Sequence, residues 1–378
     1  MSKILFLTPE FPPSKLTGAI RPAKFAKYLS RFGWDVTVLT FDHKDDAHQG
    51  LLKDLTDVRI EKCGIPKKII VNDLGVAYLF QAFKQAVKLT KEEKPDYILV
   101  SMPTFMNSLL ALYLNKKFGT KYLLDYRDLW VADPYPVRGI KSKVFRLLSK
   151  VIEPFVLKSA FLSYYVSQEM LNDQLIQYPF LHNKNTLVIS TGYDPEDIAD
   201  IQPSLEPNGY ISHIGNADID MNLDDFVNLV KNKQVQSLLL EKKLKFLFVG
   251  RKNKFMQDAL DSSLLRFFEF KDYIPHKEAL QLMADSSGLL ILGSDSGQRL
   301  NRKVFEYTAL NNNVFYLGNI ESPTAKIVRK CGGSFSNVTN LTAYFIDYLQ
   351  HLSTNPVSRN SGYTKPELVR KLIEKLSK

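Results

Sequence analysis

Glu306 and the loop before it are the residues best placed to do chemistry in this chain of 378 residues. They lie in residues 288–317, GLLILGSDSGQRLNRKVFEYTALNNNVFYL, where two short apolar runs, 289–292 and 314–317, bracket a helix-length segment. That order is a strand, helix, strand unit. Beyond the carboxyl end of a parallel strand, free backbone N–H groups and the positive end of a helix dipole favour an anion. The loop 293–300 falls there. Its Ser294, Asp295, Ser296 and Gly297 suit a close approach of backbone to phosphate oxygens, and Asn301 or Ser296 suits the cap of the following helix. Glu306 comes next, inside the helix, and a carboxylate accepts both hydroxyl hydrogen bonds of a vicinal diol such as ribose. A plainer reading competes. Glu306 could be a solvated helix residue paired with Arg302, four positions earlier, at a gain of only a few tenths of a kcal/mol. Spacing alone favours the plainer reading.

The same grammar runs through the rest of the chain. Strands are expected at 3–8, 35–41, 97–101, 121–126, 161–166 and 187–189, alternating with helices at 21–32, 76–92, 106–118, 142–158 and from 168. Such alternation means a doubly wound parallel sheet, and continuous apolar runs suit strands covered on both faces. The stretch 191–209, TGYDPEDIADIQPSLEPNG, is rich in Pro, Gly and acids and reads as an interdomain hinge. After it come strands at 210–214, 245–249 and 267–270 and helices at 223–232, 254–260 and 277–286, then the 288–317 unit. The tail 365–378 reads as a helix with Leu368, Leu372 and Leu376 on one stripe. The expected organisation is α/β: a domain over 1–192, a hinge over 193–209, a second domain over 210–355, and a C-terminal helix over 356–378 packing back toward the first. Two Rossmann-like lobes of this kind face each other across a cleft.

A chain of this length is too long for one ordinary core, and 45% hydrophobic with 24% charged residues is the composition of a folded α/β protein. No segment approaches the roughly 18 apolar residues of a membrane span, and MSKILFLT runs straight into a strand pattern, so a cytoplasmic protein is expected. The two cysteines, Cys63 and Cys331, have no metal-knuckle or redox spacing. His43 and His48 share a loop but not the spacing of a metal site, and no metal is expected. The net charge of +10 asks for an anionic partner. Dispersed basic residues without an arginine-rich run argue against nucleic acid. Two helices concentrate cations: 20–32, with Lys24, Lys27 and Arg31 opposite Phe25, Leu29 and Phe32, and 140–157, where Lys141, Lys143, Arg146 and Lys150 interleave with Val144, Phe145, Leu148, Ile152 and Phe155. Each is either a surface helix with its apolar face in the core, the commoner outcome, or a peripheral contact with an anionic membrane at its inner face.

Five segments taken in order resemble the GT-B glycosyltransferases, in particular retaining glycosyltransferase family 4. Residues 3–40 are similar to the family opening of strand, Pro-rich loop, glycine turn, Arg-bearing helix, Gly and strand. YRDLW at 126–130 resembles the Arg-Asp-x-Trp signature of one branch. Residues 167–194, ending Ser190-Thr191-Gly192-Tyr193-Asp194, resemble a passage that usually ends in Asn-Gly. Residues 270–292 and 303–316 are similar to the family's later strand-helix-strand passages.

The resemblance implies a GT-B fold and transfer of a sugar, with retention, from a nucleotide-sugar donor to a glycan or lipid-linked acceptor, in surface polysaccharide or glycoconjugate synthesis. It implies no cofactor and no metal, the leaving diphosphate being met by helix dipoles and cations. Glu306 takes the place of the family's ribose-binding glutamate. The first acid of that pair falls on Gln298, which keeps hydrogen bonding without charge. The phosphate-binding cations usual after the first strand of the second domain are missing from GNADIDMNL at 215–223, leaving Arg299, Arg302, Lys303 and Arg251 as candidates beside the N–H groups from Gly297 onward. For Arg251 a solvated turn is an equal reading. Tyr273 and Ile274 match the position that sandwiches the base, and Gly18 that of a glycine near the donor phosphates. Arg127 and Asp128 match residues beside the reacting sugar, their alternative being a buried ion pair that fixes the strand end. Two other functions use such a scaffold: a sugar-nucleotide epimerase, and a non-catalytic nucleotide-binding subunit suggested by Gln298 and the missing cations.

Overall fold

The computed structural model describes residues 1–44, 49–66, 74–132, 140–215, 221–250, 254–293, 300–353 and 361–377. The first half runs β1 (Lys3–Leu7), α1 (Ile20–Arg31), β2 (Asp35–Thr40), α2 (Gln49–Leu52), β3 (Val58–Lys62), α3 (Leu74–Glu93), β4 (Tyr97–Ser101), α4 (Ser108–Phe118), β5 (Lys121–Tyr126), α5 (Ile140–Ser159), β6 (Leu162–Tyr165), α6 (Gln168–Gln177) and β7 (Thr186–Val188). The second half runs β8 (Tyr210–Ile214), α7 (Leu223–Lys231), α8 (Lys233–Glu241), β9 (Lys245–Val249), α9 (Lys254–Asp258), β10 (Phe268–Lys271), α10 (His276–Asp285), β11 (Gly288–Leu292), α11 (Lys303–Leu310), β12 (Val314–Leu317), α12 (Pro323–Lys330), β13 (Ser334–Ser336) and α13 (Leu341–Gln350). The last helix is α14 (Lys365–Leu376).

These elements form two units, 1–190 with 365–378, and 191–364. Unit 1 holds a sheet of seven described strands in the order β3-β2-β1-β4-β5-β6-β7, and unit 2 one of six in the order β10-β9-β8-β11-β12-β13. Neighbouring strands are parallel throughout both. Both are doubly wound, as the alternation of strand and helix requires.

Burial follows from the two-residue period of the strands. In unit 2, Phe246, Phe248, Leu290 and Leu292 join Phe226, Phe315 and Phe345 in one apolar layer, whereas Leu247, Val249, Leu289 and Ile291 join Met283, Val304 and Phe305 in the other. Tyr193, Ile198 and Ile201 belong to that second layer, so much of the stretch whose composition suggested a hinge is packed into unit 2. In unit 1, Leu368, Val369 and Leu372 of α14 share a core with Ile4, Phe6, Leu29 and Leu99.

α14 also changes the environment of α1, on which it packs. Lys24 and Lys27 are only 2% and 1% exposed, and Lys27 Nζ donates to Asp54 Oδ2 at 2.9 Å. Lys24 and Lys27 are therefore enclosed by tertiary structure that helical periodicity does not reveal, and of the three cations of that stripe only Arg31, at the end of the helix, is exposed.

Candidate functional site

In unit 2 the winding reverses between β8 and β11, because β9 lies on the other side of β8. The carboxyl ends of such a strand pair form the crevice where α/β sheets bind ligands. The chain leaves β8 at Gly215 with φ at +151°, a backbone conformation that side chains disfavour. A Cβ placed there would stand 3.9 Å from Lys303 Cε and 4.0 Å from His213 Nε2. Lys303, at the start of α11, thus brings a cation beside the chain that leaves β8. Asn301 sets that start, its Oδ1 accepting from Lys303 N at 3.0 Å.

Glu306 sits in the first turn of α11 and meets His276, the first residue of α10. His276 Nε2 lies 3.1 Å from Glu306 Oε1, and Lys303 Nζ lies 3.8 Å from Oε2. Burial acts to raise the carboxyl pKa, but the His276 hydrogen bond and the charges of Lys303, His276 and Arg302 outweigh it and hold the group at about 2. The side chain remains 23% exposed, so an ionised carboxylate is fixed in place yet open to a ligand. Arg302 adds its charge to those of His276 and Lys303.

Tyr273 and Ile274 occupy the loop between β10 and α10, just before His276. Tyr273 is exposed, and Ile274 packs against the apolar layer that contains Ile214 and Leu280. Arg251, Gly297, Gln298 and Arg299 lie outside the described residues, so the structure brings together only part of the expected donor set.

In unit 1 the reversal falls between β1 and β4. Arg127 follows β5 directly; its Nη1 donates to the Gly18 carbonyl at 2.8 Å and its Nε to the Met102 carbonyl. A Cβ at Gly18 would stand 1.5 Å from Glu10 Oε2, so the end of the Glu10 side chain would have to move to admit it. Glu10 completes the crevice; burial pushes its carboxyl pKa up, against the pull of Arg127 and His43. Asp128 is exposed. The buried ion pair that was the alternative for Arg127 and Asp128 is formed instead by Arg21 and Asp125, 3% and 1% exposed, at 2.9 Å. Arg21 spends its other donors on the carbonyls of Ser190 at 2.7 Å and Ile189 at 3.1 Å.

Residues 18–192 match the model of the glycosyl transferase 4-like domain. No curated protein matches the sequence. Among solved structures, sucrose-phosphate synthase from Thermosynechococcus elongatus is similar at 13% identity and a TM-score of 0.62, over 100% of this chain and 98% of the other. The lipopolysaccharide outer core galactosyltransferase WaaB is similar at 9% identity and a TM-score of 0.63, over 99% of each chain. UDP-GlcNAc 2-epimerase from Methanocaldococcus jannaschii is similar at 12% identity and a TM-score of 0.60, over 100% of this chain and 99% of the other. At these identities the likeness establishes the fold, which is GT-B. It is shared by transferases and epimerases alike.

Within the matched residues 18–192 lie Gly18, Arg21, Asp125, Arg127 and Asp128; Glu10 precedes them, and the Glu306 cluster belongs to unit 2. Sequence reasoning assigned no role to Glu10, Arg21, Asp125 or His276. Each stands at or a few residues beyond the carboxyl end of a strand, or at the start of the next helix. Collecting every titratable residue at those positions would have found them.

Proposed function

We propose that the protein is a glycosyltransferase that moves a sugar from a nucleotide-sugar donor to a glycan or lipid-linked acceptor, with retention, in surface polysaccharide or glycoconjugate synthesis. The observation that carries this reading is Glu306, ionised and oriented by His276 and Lys303 at the reversal point of unit 2. A carboxylate so placed accepts the two hydroxyls of a ribose, and Lys303 beside Gly215 faces the position of the diphosphate. Its cation and the local backbone N–H groups neutralise the leaving group without a divalent metal. Arg127 and Glu10 line the polar crevice of unit 1, the acceptor-side domain, together with Gly18, which the resemblance sets near the donor phosphates.

Thermal unfolding in the presence of UDP, GDP, ADP, TDP and CMP sugars identifies the donor, because a ligand of the folded state stabilises it in proportion to RT ln(1 + [L]/Kd). Glu306→Ala should weaken that binding about tenfold to a hundredfold, the range for hydrogen bonds to a charged group. Acceptor-dependent release of nucleotide, measured with EDTA present, tests the transfer; release only when metal is restored would refute the metal-free mechanism. The second reading, an epimerase, draws on the fold shared with UDP-GlcNAc 2-epimerases. It is selected if nucleotide sugar alone is converted to a new nucleotide sugar. Binding with neither reaction identifies a non-catalytic subunit.

A further inference from the structure

α3, α4 and α5 of unit 1 pack side by side. α5 buries Ser149, Glu153, Val156 and Leu157 and presents a second apolar stripe outward. Val144, Leu147, Leu148, Val151 and Phe155 follow helical spacing and are between 53% and 65% exposed. α3 adds Phe80, 69% exposed, and Phe83, whose ring lies 4.9 Å from that of the exposed Tyr113 on α4. A large apolar surface left open on a folded protein marks an interaction site.

Charge identifies what covers it. The three helices carry ten Lys and Arg against three carboxylates, in a chain whose whole excess is +10. Only one of them, Glu92, is exposed, at the end of α3. Glu153 is buried under hydrogen bonds from Tyr126, Gln174, Tyr178 and the Val131 N–H. Glu92 and Glu93 close the last turn of α3, where Glu93 accepts from Thr37 and Arg59. Protein interfaces are depleted in lysine, and a second copy of this face would set like charges against each other. An anionic bilayer takes both components: apolar side chains enter the acyl boundary while Lys143 and Lys150, flanking the stripe, meet the headgroups.

We propose that α3, α4 and α5 form a docking face for an anionic lipid bilayer. α5 is also joined to the loop that carries Arg127, since Trp130 Nε1 donates to Ser149 Oγ at 2.9 Å and Arg146 to the Val131 carbonyl at 2.9 Å. Docking therefore sets that loop relative to the lipid surface. Its use in presenting a lipid-linked acceptor rests on the transferase reading; docking itself does not.

The test is flotation of the full chain with vesicles of phosphatidylcholine alone and of phosphatidylcholine with an equal part of phosphatidylglycerol. Binding is expected only to the anionic vesicles and should weaken as salt is raised. The double variants Leu147→Asp with Val151→Asp, and Lys143→Glu with Lys150→Glu, should each partition about tenfold less, with thermal unfolding unchanged. No vesicle binding by the unmodified chain, or equal binding by the variants, overturns the proposal. So does a concentration-dependent dimer abolished by the same substitutions, which assigns the face to a second copy. Vesicle binding by a chain that shows no nucleotide-sugar shift supports the docking face and counts against the transferase reading.

Discussion

Gly18 is held by contact on two sides: its carbonyl accepts from Arg127, and the space beside its Cα is taken by the Glu10 carboxylate. Gly18→Ala must displace Glu10, and a shift of about 1 Å at a reacting centre costs up to a hundredfold in rate. The expected result is a loss of about tenfold to a hundredfold in kcat/KM, with the nucleotide-sugar thermal shift reduced less than by Glu306→Ala, because the Glu306 cluster is built within unit 2. Unchanged kinetics would remove the Glu10, Gly18 and Arg127 crevice from the reaction. Glu306 shows why single residues are hard to read from sequence. Its spacing favoured a weak pair with Arg302, whereas the hydrogen-bonding partner, His276, lies 30 positions earlier and reaches it through the return of α10. Lys303, three positions before Glu306, was visible; its approach to Gly215 depends on strand order.

At the scale of elements, the Arg21–Asp125 pair fastens α1 to β5 and to the chain leaving β7. Removing one member of a buried pair leaves an uncompensated charge, which costs about 3–5 kcal/mol. Asp125→Ala should lower unfolding free energy by that amount in urea denaturation, and Arg21→Met with Asp125→Leu should recover most of it. A loss below about 1 kcal/mol in the single variant would show that the site is hydrated and not enclosed. Strands and helices were legible wherever apolar runs were continuous, as at β1, β4, β5, β8 and β9. β3, α8, α12, β13 and α13 went unread. β3 is a sheet-edge strand whose apolar residues alternate with charged ones, and β13 spans only Ser334–Ser336, too short for a pattern. α12 has a clear start, with Ser322 Oγ accepting from Ala325 N at 3.1 Å and Pro323 at the first position, but it is only eight residues long, about two turns.

At the scale of the whole molecule, the chain passes from unit 1 to unit 2 at 190–191 and returns at 364–365. Composition marked the first passage because Pro, Gly and acids cluster there; the second has no such signature. α14 is bound into unit 1 by Leu372, which is fully buried, by Lys371 Nζ donating to the Val188 carbonyl at 3.0 Å, and by Tyr97 Oη donating to the Leu376 carbonyl at 3.1 Å. Leu372→Ala should destabilise unit 1 by about 2–5 kcal/mol, the usual cost of emptying a buried leucine site. Hydrogen exchange that loosens β1, β4 and α1 while leaving β8, β9 and β11 protected is the expected pattern, and uniform loosening would contradict it. The same closure has a consequence for synthesis. Unit 2 is made as one continuous stretch, but unit 1 receives its closing core residues only once 365–376 have been made, after all of unit 2. A product cut after residue 364 would still contain all of unit 2, while its residues 1–190 would lack their closing helix.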